Sequence, residues 1–205
     1  QAKRLSALGH QVRVISSRVH EREISGSSDG VELVRIAAFN RLEKWGIPFP
    51  IFSPRIVPAL VTAIKKADLV HIHDIFYLSS LLAAILAYFY KKPIILTQHV
   101  GLIPHPSRLV TWVQKFVFAT SGRLIFRLSS RIIILNDRVR RFLLRLGVPE
   151  NKIIFLPNGV DTDQFFPPAD QDRKKAIRHE LGLDPERKLI LFVGCFVPKK
   201  GFNKV

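Results

Sequence analysis

The chain has 205 residues, 47% of them hydrophobic, enough to bury a real core as one domain or one and a part. Its 32 basic residues against 16 acidic ones give a formal charge of +16, which points to an anionic partner or surface. The one cysteine, Cys195, excludes an internal disulfide and suits a reducing, cytoplasmic compartment.

Gln1 to Gly9 reads as the last turns of a helix, with Leu5 and Leu8 on one side and Gly9 as the stop. It has neither the charged start nor the apolar run of a signal peptide. No methionine occurs anywhere. The chain is therefore expected to be a fragment, cut at both ends.

Val12 to Ile15 is a strand, residues Glu21 to Gly30 are a polar loop, and Val31 to Ile36 alternates apolar and polar as a half-buried strand does. Phe39 to Pro58, with Pro48, Pro50, Pro54 and Pro58, reads as an irregular excursion before a short helix over Ala59 to Lys66. Asp68 to Asp74 is an apolar strand with a polar end. Leu78 to Tyr90 is a helix, and Pro93 to His99 the next strand. The uncharged run from Ile75 to Tyr90 is too short for an easy membrane span. Strand, helix and strand make a βαβ unit and imply a parallel sheet.

Ser107 is a candidate N-cap for a long helix whose Leu109, Trp112, Val113, Phe116, Val117 and Thr120 share a face. Arg131 to Asn136 is a strand ending in a helix cap. Val139, Phe142, Leu143 and Leu146 give the next helix, and Gly147 stops it. Ile153 to Leu156 is a strand that Pro157 ends, and Asn158-Gly159 supplies a tight turn that Asp161 and Thr162 can bond. Pro167 to Asp172 reads as a linker, Ala176 to Leu181 as a short helix, and Leu189 to Gly194 as a new buried strand.

Strands alternating with helices predict an α/β fold with a doubly wound, Rossmann-like parallel sheet. Ligands in such folds sit at the carboxyl ends of the strands. That selects His73, Asp74, His99, Asn136 and Asn158-Gly159 as residues near one rim. Taken alone, the Asn158-Gly159 stretch is simply a strand with a turn.

Four stretches occur together in order: Leu5 to Val12, Asp68 to His73, Leu156-Pro157-Asn158-Gly159-Val160-Asp161 through Phe165 and Pro167, and Val193-Gly194 followed by Lys200-Gly201. This set resembles the retaining glycosyltransferases of family 4, with the GT-B fold. The resemblance implies two Rossmann-like domains facing a cleft. Residues 1–168 would be the acceptor-side domain, incomplete at its start. Residues 169–205 would be a linker and the first strand of a nucleotide-sugar-binding domain.

The resemblance implies that Lys200 and Gly194 contact the donor diphosphate. The departing diphosphate gains negative charge, and a fixed cation stabilises it. Without the motif, Lys199-Lys200 is a solvated pair in a basic chain. Cys195 departs from the family, which usually has an arginine there. A neutral thiol cannot replace that charge, so either Lys199 substitutes or the phosphate site differs.

His99 falls where the family often has a histidine facing the reacting sugars, with a positioning or hydrogen-bonding role. The competing expectation is a rim histidine bonded to backbone. His73, Asn158, Gly159 and Asp161 would line the cleft. His71 and His73 point to the same face of a strand, but the third and fourth ligands of a metal site are missing. No metal and no cofactor are expected; the nucleotide-sugar is a substrate.

Between Arg108 and Arg145 stand nine basic residues and one acid, Asp137, with Trp112, Phe116, Phe118 and Phe126 interleaved. That composition suits an anionic membrane surface, and the family often acts on lipid-linked acceptors. A solvated basic face on ordinary core helices is the plainer alternative. No nucleic-acid motif accompanies the charge, so nucleic acid is not expected. The expected function is transfer of a sugar from a nucleotide-sugar to a glycan or lipid-linked acceptor, with retention, in the cytoplasm and peripheral to the inner face of the membrane, the chain alone being inactive. The alternatives are a non-catalytic α/β module binding an anionic ligand or membrane, and a GT-B-like sugar-nucleotide epimerase.

Overall fold

The computed structural model describes residues 1–18, 25–39, 51–103, 107–167, 170–184 and 187–189. The chain divides into two compact units, Gln1–Asn158 and Gly159–Val205.

Among the described residues, the first unit carries two sheets. One is parallel throughout, in the order β5 (Val70–His73), β6 (Ile94–Gln98), β7 (Arg131–Ile134) and β8 (Ile153–Phe155). Each of these short strands is rich in isoleucine, valine and leucine, as a sheet covered by helices requires. The crossovers are α3 (Leu78–Phe89), a helical run over 108–128, and α6 (Asp137–Arg145). Ile94, Leu96, Ile132 and Ile134 from the strands meet Ile125 and Leu143 from the helices, all with almost no exposed surface. The α/β architecture with a parallel sheet is therefore present.

The other sheet is mixed. β1 (Val12–Arg18) runs parallel to β3 (Val31–Phe39), while β2 (Gly26–Ser28) and β4 (Ile51–Phe52) run antiparallel to β3. Two sequence expectations change here. The polar loop ending at Gly30 contains β2, which turns into β3 through Asp29 and Gly30. Both have positive φ, 51° and 73°, as a two-residue hairpin turn needs. The irregular excursion closes earlier than expected, because α2 (Ile56–Lys66) starts before Pro58. Proline fits there: an amide in the first helical turn has no intrahelical partner to lose.

The run over 108–128 consists of α4 (Arg108–Val117), a π-turn over Phe118–Gly122, and α5 (Arg123–Leu128). Its buried positions Gln114, Phe118, Gly122 and Phe126 recur every four residues. An α-helix overshoots by about 40° over four residues, so a wider turn keeps that stripe on the core. Gly122 suits this close packing: a Cβ there would lie 2.5 Å from Ile75 Cδ1 and 3.0 Å from the Val117 carbonyl oxygen, so its neighbours would have to shift.

In the second unit, α7 (Gln171–Glu180) starts within the expected linker. Asp170 caps it by accepting from the Arg173 amide at 2.7 Å. The expected strand from Leu189 to Gly194 lies, after Leu189, outside the described residues.

Candidate functional site

Parallel pairing in register brings the carboxyl ends of β5 and β6 side by side, with His73 opposite Thr97. The next residues, Asp74 and His99, leave the sheet together. Asp74 adopts φ 58°, a left-handed conformation that aspartate tolerates better than most side chains. Its amide donates to the Thr97 carbonyl at 2.9 Å, and its Oδ1 accepts from the His99 amide at 3.0 Å. Thus the end of one strand clamps the backbone of the next. Gln98 holds the following turn, with Nε2 donating to the Val100 carbonyl at 2.7 Å.

Three imidazoles stack outward along this edge. The rings of His71 and His73 are 4.5 Å apart, and those of His73 and His99 are 5.5 Å apart. His71 Nε2 hydrogen-bonds Thr97 Oγ1 at 2.8 Å, and His73 Nδ1 hydrogen-bonds His99 Nε2 at 3.2 Å. Burial, and then repulsion from His73 and His99, lowers the pKa of His71 from 6.5 to about 4. Burial, and then His99, lowers that of His73. Burial raises the Asp74 carboxyl above its ordinary range, against the hydrogen bond from the His99 amide. Neutral imidazoles are therefore favoured at the inner end of the stack, where a ring can donate or accept a hydrogen bond without carrying charge.

His73 and His99 thus meet at the rim. Asn136 is there for another reason: its Oδ1 accepts from the Val139 amide at 3.0 Å and caps α6. Asn158, exposed, follows β8 by a few residues, and the Leu156 amide donates to the Ile134 carbonyl at 3.0 Å. Gly159 and Asp161 belong to the second unit, where the Asp161 carboxylate accepts from the amides of Asp163 and Gln164. Gly194, Cys195 and Lys200 lie outside the described residues. Sequence patterning did not reveal His71 as the inner ring or Asp74 as the backbone clamp. Both sit in the His-x-His-Asp run, but their partners come from β6. Among the described residues, no group of three or more His, Cys, Asp or Glu side chains could hold a metal ion.

The basic segment separates into two sides. Phe118 and Phe126 are core residues, while Leu109, Trp112 and Phe116 are 69%, 67% and 55% exposed. The stripe expected on one face of the long helix is thus partly a surface stripe, with Trp112 and Phe116 stacked at 6.1 Å. Arg108, Lys115, Arg123 and Arg127 are exposed along the same run. Among the described residues, no helix is long and apolar enough to cross a membrane.

The sequence profile of Glycosyltransferase Family 4 matches residues 1–164. The chain belongs to glycosyltransferase family 4. It is 27% identical to alpha-maltose-1-phosphate synthase of Mycobacterium tuberculosis over 154 residues, covering 69% of this chain and 37% of that protein. It is 24% identical to alpha-galactosylglucosyldiacylglycerol synthase of Streptococcus pneumoniae over 145 residues, covering 67% and 36%. The chain therefore matches little more than a third of the length of these relatives. The solved structure of Alr3699/HepE from Anabaena in complex with UDP aligns with a TM-score of 0.49 and 16% identity, over 75% of this chain and 37% of that one. Within family 4, the first unit supplies the parallel sheet and the histidine-lined rim.

Proposed function

We propose that this family 4 chain is the acceptor-side part of a retaining glycosyltransferase. It would move a sugar from a nucleotide-sugar to a hydroxyl of a glycan or lipid-linked acceptor. The observation that carries the proposal is the family match over residues 1–164 together with His99 at the strand rim, held by His73 and Asp74. His99 would hydrogen-bond the reacting sugars, and His73, Asn158, Gly159 and Asp161 would line the cleft.

Front-face attack by the acceptor hydroxyl forms the bond from its oxygen to the anomeric carbon, breaks the bond from that carbon to the diphosphate oxygen, passes the hydroxyl proton to the departing oxygen and retains the configuration. Charge grows on the departing diphosphate. Lys200 and the backbone at Gly194 would stabilise it, from a second domain beginning near residue 169. This chemistry needs no metal or cofactor. The exposed Leu109-Trp112-Phe116 stripe with its arginines supports a peripheral position on an anionic membrane, at the cytoplasmic side. The Streptococcus pneumoniae relative, named for a diacylglycerol glycolipid, supports a lipid-linked acceptor.

The test uses a chain extended from its own gene to the relatives' length, incubated with a panel of nucleotide-sugars and acceptors. Acceptor-dependent transfer with retained anomeric configuration is expected. Sugar isomerisation without acceptor would indicate an epimerase, and no turnover with the whole panel would favour a binding module. The 205-residue chain alone is expected to transfer nothing, because one face cannot orient both reactants.

A further inference from the structure

A groove of about 590 Å³ lies between the helical run over 108–128 and α6, and shares no residue with the histidine cluster. That volume falls within the range of about 300–1,000 Å³ typical of small-molecule sites. Leu102, Phe118, Phe126, Phe142 and Val148 form its apolar part. Its aromatic floor is fixed: Phe118 packs edge-on against Phe142 at 4.7 Å and beside Phe126 at 6.4 Å.

The rim of the groove is cationic, with Lys115, Arg123, Arg127 and Lys152, and no carboxylate lines it. Lys152 is anchored, donating to the carbonyls of Arg127 and Ser129 at 2.9 Å each. The nearby acid Glu150 pairs with Arg140 instead. Among the described residues, Lys115, Arg123 and Arg127 have no carboxylate partner. A smaller depression formed by Arg108, Thr111, Trp112 and Lys115 adjoins it, sharing Lys115. The groove therefore opens beside the exposed Trp112-Phe116 stripe.

An apolar floor under an unpaired cationic rim matches one chemistry: a hydrocarbon chain with an anionic head. We infer that this groove holds one anionic phospholipid drawn from the bilayer, with an acyl chain over Phe118, Phe126 and Phe142 and the phosphate between Lys115, Arg123 and Arg127. The groove shares no lining residue with the histidine rim, and the lipid is accordingly assigned as an anchor and not as the sugar acceptor. The inference rests on the anionic-membrane part of the proposed function and adds a stoichiometric site to it. Simple adsorption needs charge and exposed aromatics; a groove also needs room for a chain.

The experiment titrates the 205-residue chain with monomeric short-chain phosphatidylglycerol, below its micelle concentration, by isothermal calorimetry. Short-chain phosphatidylcholine and inorganic phosphate are titrated in parallel. Saturable one-to-one binding of the anionic lipid is expected, at least tenfold tighter than either control. Ala119→Trp, which adds bulk in the groove, and the pair Arg123→Glu with Arg127→Glu should each weaken it at least tenfold. Thermal melting checks that each variant stays folded. Absence of saturable binding overturns the inference, as does equal binding of phosphate or of the neutral lipid, or full binding by folded Ala119→Trp. Sedimentation with phosphatidylglycerol vesicles separates the two claims. If vesicles bind while the monomer does not, the groove is wrong and the membrane surface stands; if neither binds, both fall.

Discussion

His73 Nδ1 lies 3.2 Å from His99 Nε2, at the ends of two neighbouring parallel strands. When both rings are neutral, one of these nitrogens must donate and the other accept. The bond occupies Nε2 of His99, so under the proposed function Nδ1 is the nitrogen that would meet a substrate. Asp74 meanwhile fixes the His99 backbone. In the extended chain, His99→Ala should lower turnover by roughly 10²-fold, within the usual range for a polar group acting on the transition state. His73→Ala should cost less, about tenfold, because it loosens a ring without removing it. Steady-state kinetics beside melting curves decide it, and full turnover in His99→Ala would remove that residue from the mechanism.

His71 makes stability depend on pH. Its folded pKa, about 4, is below the unfolded 6.5, so the unfolded chain binds the proton more readily. Its contribution is fully present above pH 6.5 and is lost as pH falls toward 4. The raised carboxyl of Asp74 acts in the opposite sense, favouring the fold at low pH and losing that contribution as pH rises past 3.8. Melting temperature should therefore fall between pH 7 and pH 5. His71→Gln, which keeps a partner for Thr97, should flatten that slope. An unchanged slope in the variant would assign the loss to another group.

Asn136 is at the sheet's rim, yet its side chain is spent on the α6 cap. Asn136→Ala should cost about 1 kcal/mol of stability, the usual loss for an N-cap. Turnover of the extended chain should hold at temperatures where the variant is folded. Chemical denaturation gives the first number. A large drop in turnover would show that Asn136 also serves the reaction.

The strands of the parallel sheet and helices α3 and α6 were legible because burial leaves a pattern: apolar runs for β5 to β8, and 3.6-residue spacing for α6. β2 was missed although Asp29-Gly30 is a strong hairpin signal, because its residues Gly26 to Ser28 carry no apolar alternation. The start of α7 was missed because the helix is nearly all polar, with Ile177 its one large apolar side chain; the Asp170 cap marks it instead. Single histidines at strand ends were visible from residue order. Their pairing was not, since it follows from the register of β5 against β6, which tertiary packing sets. The π-turn was likewise hidden, because a four-residue stripe reads in sequence as an ordinary amphipathic helix.

Lys200 carries the donor side of the proposal. In the extended chain, Lys200→Ala should reduce turnover by roughly 10²-fold or more, as loss of a contact to developing charge does. Cys195→Arg should be tolerated and should tighten donor binding, because it restores the charge the family usually places there. Nucleotide-sugar titration by calorimetry and kinetics on both variants test this. Near-full turnover in Lys200→Ala would place the diphosphate elsewhere.

Under the proposed function, the outward side of the helical run is the surface that meets an anionic bilayer. Leu109, Trp112 and Phe116 are more than half exposed, and Arg123 and Arg127 follow on the same run, with Arg131 starting the next strand. Each arginine near an anionic surface contributes about 1 kcal/mol, so three give binding that a vesicle assay can read. Salt screens that part over a Debye length of about 8 Å at physiological ionic strength. The three exposed apolar side chains add a part that salt does not remove. Co-sedimentation should therefore require phosphatidylglycerol, fall with salt to a residue, and drop sharply when Arg123, Arg127 and Arg131 are changed to glutamate. Changing Leu109, Trp112 and Phe116 to serine should remove the salt-resistant part and spare the core, because Phe118 and Phe126 carry the packing. Equal binding to neutral vesicles, or an undiminished triple variant that remains folded, would move the contact to another face.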